Sequence, residues 1–156
     1  MGCGSGIVSV FAASNGACCL AVDKNPMAVK SAAQNALQNN FSDRIEAIES
    51  DLFDRIESSK KFDFIFFNPP YYKGTPQKQI ELAFKAGENF EVIENFISGS
   101  RNYLNAHGII YMVLSSDISL DIIEKIFNEN GFSFDIVKKS KKFFETFYIT
   151  KSFLIK

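Results

Sequence analysis

The segment GCGSG, residues 2–6, places three glycines at alternate positions directly before an apolar run. Gly2, Gly4 and Gly6 allow a tight turn, and they let a ligand approach the backbone with no Cβ in the way. The residues that follow, GIVSVFAASNG, predict a short helix closed by Gly16, whose first turn presents unpaired N–H groups. The pattern therefore predicts a turn that seats a cofactor at the start of a helix.

An acidic residue stands where a nucleotide site needs one. The segment ACCLAVD predicts an apolar strand that ends on Asp23. A carboxylate about 20 residues after such a turn, at the tip of the next strand, can accept hydrogen bonds from both hydroxyls of a ribose. In the dinucleotide pattern G-x-G-x-x-G the third glycine would fall at Ile7, so the spacing observed here argues against NAD.

The rest of the sequence alternates helices and strands. Helices are predicted after Asn25 as N-cap and Pro26 at N1, with Val29, Ala32, Ala33, Ala36 and Leu37 facing the core, then over 77–86, over 90–104, and from Leu120 to the stop at Asn130 and Gly131. Strands are predicted in RIEAIES, in KFDFIFF, which reads as buried on both faces, and in GIIYMVL. The end of the chain has two β-rich runs around a Lys-rich link. These elements predict an α/β fold with a mostly parallel sheet, helices on both faces, a C-terminal antiparallel hairpin and ligands at the carboxyl ends of the strands.

A second carboxylate, Asp51, closes the strand after Asp23. It can accept a hydrogen bond from the amino group of an adenine. It can equally cap the turn at residues 52–53, and the sequence leaves both interpretations open.

The segment FFNPPYY, residues 66–72, ends a strand with an unusual set of hydrogen-bonding groups. Pro69 and Pro70 have no N–H, and the Asn68 side-chain carbonyl adds a further acceptor. A planar NH₂ group would find two acceptors here, and Tyr71 can stack on its face. The alternative is a plain Asn-Pro-Pro turn. Its position after a buried strand, in register with Asp23, favours a site for an amide or an exocyclic base amine.

On these motifs the sequence resembles a class I S-adenosylmethionine-dependent methyltransferase of the small-domain group that carries an Asn-Pro-Pro-Tyr motif. The resemblance covers essentially the whole chain. It implies a Rossmann-like methyltransferase fold in one domain, residues 1–156, with S-adenosylmethionine as cofactor and no metal. For the cofactor, the resemblance assigns the methionine part to Gly2, Gly4 and Gly6, the ribose to Asp23, and the adenine side to Asp51 and Leu52. Cys3, Lys24 and Asn68 also border the cofactor. The nitrogen to be methylated is assigned to Asn68, Pro69, Pro70 and Tyr71.

The segment KKFFETFYI resembles the archaeal and eukaryotic branch of the protein-glutamine methyltransferases that modify peptide release factors. The resemblance implies methyl transfer to a glutamine side chain of a protein such as a release factor. Relatives that methylate adenine N6 or guanine N2 in RNA share the central motif, so an RNA base is the alternative acceptor. A non-catalytic methyltransferase-like fragment or partner subunit is a third interpretation.

The sequence departs from this family at its start. An apolar first strand with an acidic residue usually precedes the glycine turn, and in the family's fold it lies in the middle of the sheet. The chain contains neither, and we expect an N-terminally truncated domain. A missing recognition segment or an activator subunit would then supply substrate specificity.

Composition narrows the setting. The net charge of -1 excludes a generally basic surface, so a nucleic-acid contact would need a local patch. One basic cluster contains Lys138, Lys139, Lys141 and Lys142, beside Phe143 and Phe144. It is either a contact for RNA or for an acidic protein surface, or a solvated link within the hairpin. Three cysteines are too few for a disulfide framework and lack zinc-site spacing, which favours a reducing cytoplasm. No apolar run approaches the roughly 20 residues that cross a bilayer, so we expect no membrane partner.

Overall fold

The structure, a computed structural model, describes residues 1–70, 74 and 90–155. These residues form two compact units, Met1–Glu57 and Ser58–Lys156. One domain over residues 1–156 stays a prediction. In the described parts of the chain, no helix is long and apolar enough to span a membrane.

The first unit contains two helices and two parallel strands. In chain order these are α1 (Ile7–Ser14), β1 (Cys19–Asp23), α2 (Pro26–Gln38) and β2 (Ile45–Glu49). β1 and β2 are parallel, with Cys19 opposite Ile45 and Asp23 opposite Glu49. Their core is built mainly from small buried residues, namely Ala13, Ala21, Ala32 and Ala36 with Ile45. Small side chains let the helices approach the strands closely.

The start of α2 agrees with the sequence prediction, but its buried face is narrower. The Asn25 side chain accepts a hydrogen bond from the Met27 N–H at 3.0 Å, and Pro26 is the first helical residue. Ala32 and Ala36 are buried, whereas Ala33 and Leu37 are exposed, which corrects their assignment to the core. The buried pair lies four residues apart, so α2 contacts the core through a single narrow stripe.

The second unit contains four strands and two helices among its described residues. They are β3 (Phe62–Phe67), α3 (Glu91–Ser100), β4 (Leu104–Ser115), α4 (Leu120–Glu129), β5 (Asp135–Lys142) and β6 (Glu145–Phe153). The sheet order is β3-β4-β6-β5. β3 and β4 are parallel, and β6 is antiparallel to both β4 and β5. The predicted α/β class and C-terminal antiparallel hairpin are confirmed.

Strand β3 is buried on one face, not on two as its composition suggested. Ile65 and Phe67 are buried, and the Phe67 ring lies 4.4 Å from that of Phe96 in α3. Phe64 and Phe66 are 54% and 43% exposed. An apolar run therefore does not by itself distinguish one buried face from two.

Helix α3 ends earlier than predicted. It stops at Ser100, and Leu104 already opens β4. The Phe62 N–H donates to the Tyr103 carbonyl at 2.8 Å, so the β3 ladder recruits these residues out of the helix. The predicted helix over 77–86 lies outside the described residues.

The C-terminal hairpin turns at a different place from the one expected. Lys142 pairs with Glu145, which leaves Phe143 and Phe144 as the connection. The four lysines lie within β5 and do not form the link.

The described strands form two separate sheets. β1 pairs with β2, β3 pairs with β4, and within the described residues no strand pairs with the other edge of β1 or of β3. At that edge of β1, the Val22 carbonyl accepts a hydrogen bond from the Cys3 N–H at 2.9 Å. An N-terminally truncated domain stays a prediction.

Candidate cofactor and acceptor sites

The glycine turn uses conformations that favour glycine at all three positions. Gly2, Gly4 and Gly6 have φ angles of 59°, 52° and 77°, in the left-handed region. The Gly6 N–H donates to the Cys3 carbonyl at 2.8 Å. Gly6 is the N-cap of α1 and offers no side chain to cap the helix. The first turn of α1 is therefore not capped by a side chain at its N-cap position.

Asp23 is clamped against this turn. Its Oδ2 accepts a hydrogen bond from the Gly4 N–H at 2.9 Å, and its Oδ1 accepts one from the Asn25 N–H at 2.9 Å. Each carboxylate oxygen has a further lone pair available. The end of β1 therefore carries a fixed, half-buried carboxylate beside exposed glycine backbone.

Ser50 connects Asp23 to the loop after β2, a role the sequence reasoning missed. The Ser50 N–H donates to the Asp23 carbonyl at 3.0 Å, and its Oγ accepts from the Arg55 N–H at 3.0 Å. The side chain is buried at 2% exposure. A serine directly before the acidic residue that closes β2 was the available signal.

A polar cavity of about 310 Å³ lies at the carboxyl ends of β1 and β2. The sequence had indicated two of its lining residues, Lys24 and Asp51. The others went unrecognised: Glu49, Ser50, Asp54 and Arg55. Since three carboxylates and two cationic side chains line it, the cavity suits a polar, hydrogen-bonding group.

The side chain of Asp51 does not cap the adjacent turn. Its Oδ2 contacts the Lys24 Nζ in an ion pair at the surface. The turn is closed instead by backbone, with the Asp54 N–H donating to the Asp51 carbonyl at 3.1 Å. Leu52 has a φ of 47°, a left-handed conformation uncommon outside glycine. The loop thus presents Asp51 to the cavity through an unusual backbone geometry.

Cys3 lies inside the glycine turn, half-buried. Burial, reinforced by the negative charge of Asp23, raises the pKa of its thiol from 9.0 to about 11. The thiol is therefore protonated near neutral pH and is a poor nucleophile. Its place in the turn is compatible with contact to a cofactor.

The Asn-Pro-Pro segment follows β3 in the second unit. Pro69 is buried and Asn68 is exposed directly after the last strand residue, Phe67. Within the described residues the Asn68 side-chain amide makes no hydrogen bond. Pro69 anchors the segment, so Asn68 is held at the strand end with its carbonyl available. Tyr71, predicted to stack on the acceptor, lies outside the described residues.

No metal site is found in the part of the chain that the structure describes. There, no group of three or more His, Cys, Asp or Glu side chains is arranged to hold a metal ion.

The close approach of the glycine turn to α2 predicts a specific loss of stability. A Cβ on Gly6 would lie 2.9 Å from the Ala32 Cβ and 3.0 Å from its Cα, at a φ of +77°. Gly6→Ala should lower the free energy of unfolding by about 2–4 kcal/mol, because strain from left-handed backbone adds to overpacking. Urea denaturation measures this loss.

Gly4→Ala is the matched control. Its φ is +52°, but a Cβ there meets nothing within 4 Å, so the loss should be about 1–2 kcal/mol. Equal losses in the two variants would show that Ala32 does not restrict Gly6.

Known proteins match this chain in both sequence and fold. A family model described as "Methyltransferase small domain" matches residues 1–144. A Methanocaldococcus jannaschii protein with the provisional name protein N5-glutamine methyltransferase is 38% identical over 122 residues, which are 74% of this chain and 60% of the relative. A tRNA1(Val) (adenine(37)-N6)-methyltransferase of a Flavobacteriaceae bacterium is 35% identical over 94 residues, 54% of this chain and 40% of the relative. The chain thus spans less than two thirds of each.

A solved structure shows the same fold. The E. cuniculi Mtq2–Trm112 complex, responsible for methylation of the eRF1 translation termination factor, matches with a TM-score of 0.73 and 21% identity. The match covers 99% of this chain and 81% of that one. The predicted Rossmann-like methyltransferase fold is confirmed.

Proposed function

The chain belongs to the methyltransferase small domain family, and from that premise we propose that it is an S-adenosylmethionine-dependent N-methyltransferase. Its acceptor is a planar nitrogen, which we assign to the glutamine side chain of a protein such as a release factor. The observation that carries the cofactor assignment is the hydrogen bond from the Gly4 N–H to Asp23 Oδ2 at 2.9 Å. It joins the glycine turn to the carboxylate at the end of β1.

The residues of the first unit fit this cofactor. Asp23 has lone pairs left for the two ribose hydroxyls. A Cβ on Gly4 would meet open space, so the backbone of Gly4 is accessible to the methionine part. We assign Gly2 and Gly6 to the same part of the cofactor. We assign the adenine side to Asp51 and Leu52, with Lys24 and Cys3 at the border.

The second unit carries the residues for the acceptor nitrogen. S-adenosylmethionine supplies an electrophilic methyl group on a sulfonium sulfur. Asn68 accepts a hydrogen bond from the acceptor NH₂, and Pro69 and Pro70 contribute carbonyls without competing N–H groups. We assign stacking on the planar group to Tyr71. Orientation of the nitrogen lone pair is the main contribution of this segment, and the methylated nitrogen releases its extra proton to water.

The glutamine assignment is supported by the M. jannaschii relative, which shares 38% of aligned residues. The alternative acceptor is an RNA base, adenine N6 or guanine N2, which the similarity to a tRNA adenine-N6 methyltransferase favours. A non-catalytic fragment is the third candidate. The Mtq2–Trm112 complex supports the expectation of an activator subunit, and the free cysteines agree with a cytoplasmic setting.

Labelled methyl transfer distinguishes these candidates. Purified protein is incubated with S-adenosylmethionine carrying a labelled methyl and with either a release factor or bulk RNA. We expect label in the release factor, at a glutamine identified by peptide mass spectrometry. Label in RNA alone would transfer the assignment to the base methyltransferases. Binding of S-adenosylmethionine without label in either acceptor would favour the non-catalytic interpretation.

A further inference from the structure

The end of the β5–β6 hairpin carries two aromatic rings that do not pack on the described fold. We define the hairpin tip as residues 141–144. Phe143 is 93% exposed and Phe144 is 104% exposed. Exposed rings in tandem contribute little to folding, since burial of apolar area is what stabilises a protein. Stability of the hairpin therefore does not account for this pair.

The conformation of Phe143 adds a second observation. Its φ is 54°, in the left-handed region that two-residue hairpin turns normally fill with Gly or Asn. A bulky residue there is an outlier that costs free energy. The turn thus holds a phenylalanine in strained backbone while its ring is in solvent.

The strand that leads to the tip is strongly cationic. Lys138, Lys139, Lys141 and Lys142 are all exposed, and four residue steps along a strand span roughly 13 Å. The Lys139 Nζ lies 5.4 Å from the centre of the Tyr148 ring on the neighbouring strand. Glu145 directly follows the tip in sequence, and its carboxylate accepts a hydrogen bond from the Ser115 hydroxyl. Because successive residues of a strand point to opposite faces, Lys139 and Lys141 lie on one face of β5 and Lys138 and Lys142 on the other. Positive charge therefore lines both faces of the strand up to the phenyl rings.

Protection of a sheet edge explains part of this arrangement. β5 ends the sheet order, and lysines on an edge strand discourage pairing with other chains. Two exposed phenylalanines have the opposite tendency, because they promote association. Charge and rings together match a ligand that offers anionic groups and apolar planar faces side by side.

We propose that the hairpin tip and the lysines of β5 bind single-stranded nucleic acid, with the Phe143 and Phe144 rings stacking on bases and the ammonium groups contacting phosphates. An acidic peptide would satisfy the lysines and leave the rings in water. A membrane would engage the tip but not the lysines that extend along both faces of the strand. The proposal does not depend on which nitrogen is methylated.

Fluorescence anisotropy tests the stacking. The probes are fluorescein-labelled oligouridylate and oligodeoxythymidylate of about 12 nucleotides, within the usual range of site sizes. The variant Phe143→Asn/Phe144→Gly suits the turn and removes both rings. We expect its Kd for the probe to rise about tenfold or more. The two probes distinguish RNA from DNA, since only RNA has the 2′-hydroxyl.

Salt dependence tests the charges independently of the turn. The variant Lys141→Gln/Lys142→Gln should flatten the plot of log K against log salt by about 1.4, since each phosphate contact on a single strand contributes about 0.7. The matched control, Lys30→Gln/Lys125→Gln, removes two exposed lysines elsewhere and should leave the slope unchanged.

Three results would overturn the proposal: no binding of either oligonucleotide by the wild-type protein, equal salt slopes in the two lysine variants, or unchanged affinity after removal of both rings. Polyglutamate and phosphatidylserine vesicles serve as competitors. Displacement of the oligonucleotide by either one at lower concentration than by unlabelled oligonucleotide would reassign the tip to an acidic protein or to a lipid surface.

Discussion

Asn68→Ala should reduce methyl transfer about 10²- to 10³-fold while S-adenosylmethionine still binds. The substitution deletes the side-chain carbonyl that we assign to orienting the acceptor NH₂, and loss of one positioned polar group typically has an effect of this size. Asn68 is exposed, and its amide makes no hydrogen bond in the described residues, so the fold should be unaffected. Initial rates with a labelled methyl group and calorimetric titration of the cofactor measure the two quantities separately.

Two further variants serve as controls for Asn68→Ala. Asn68→Asp keeps an acceptor oxygen and adds a negative charge, so it should retain more activity than Asn68→Ala. Asn128→Ala removes another exposed asparagine, which lies in α4, and should transfer methyl groups at the wild-type rate. If Asn68→Ala is as fast as wild type, the role assigned to this segment is wrong. A parallel loss of cofactor affinity would instead make Asn68 a cofactor residue.

The local parts of this structure were readable from the sequence because they depend on neighbouring residues. The cap at Asn25 and the stop at Asn130 and Gly131 follow from side-chain and backbone hydrogen bonds within a few positions. The glycine turn is equally local. Asp23 could be predicted as a site residue because it ends an apolar strand, and such an end is visible in the sequence. In the structure its carboxylate accepts a hydrogen bond from the Gly4 N–H, which connects the strand end to the glycine turn.

The parts that failed depend on partners distant in sequence. Leu37 fits the helical period of α2 but is 67% exposed. The period predicts which side of a helix faces the core, but it does not predict how wide the buried stripe is. The apolar composition of β3 likewise does not predict that one of its two faces is left uncovered in the described residues. Helix α3 ends where the residues after it begin to hydrogen-bond with β3 in the parallel ladder. That pairing involves Phe62, which is distant in sequence, so the helical segment alone does not predict where the helix ends.

The cavity beside Asp51 shows the same limit for function. Arg55 and Ser50 both line it and are joined by a hydrogen bond from the Arg55 N–H to the Ser50 Oγ, and neither belongs to a recognisable motif. Sequence spacing identified the acidic residues at strand ends, while the loop that arranges the other lining groups had no periodic signature.

Asp23→Ala should weaken S-adenosylmethionine binding by about 1.5–3 kcal/mol, or roughly 10- to 150-fold in Kd. The substitution removes the charged acceptor that we assign to the two ribose hydroxyls. The same change removes the bonds from the Gly4 and Asn25 N–H groups, each 2.9 Å long, so the glycine turn also loses its anchor. Isothermal calorimetry at constant salt gives the affinities, and thermal unfolding of each free variant shows how much of the effect is structural.

Asp43→Ala is the matched control for charge, because Asp43 is an exposed aspartate in the same unit, away from the glycine turn in sequence. It should bind the cofactor like the wild type. Asp23→Asn separates the two roles of the carboxylate: its amide oxygen can still accept from one of the two N–H groups, while its NH₂ cannot accept from a ribose hydroxyl. We therefore expect Asp23→Asn to unfold at a higher temperature than Asp23→Ala and still to bind the cofactor several-fold more weakly than wild type. Wild-type affinity in Asp23→Ala, or an equal loss in Asp43→Ala, would remove Asp23 from the ribose site.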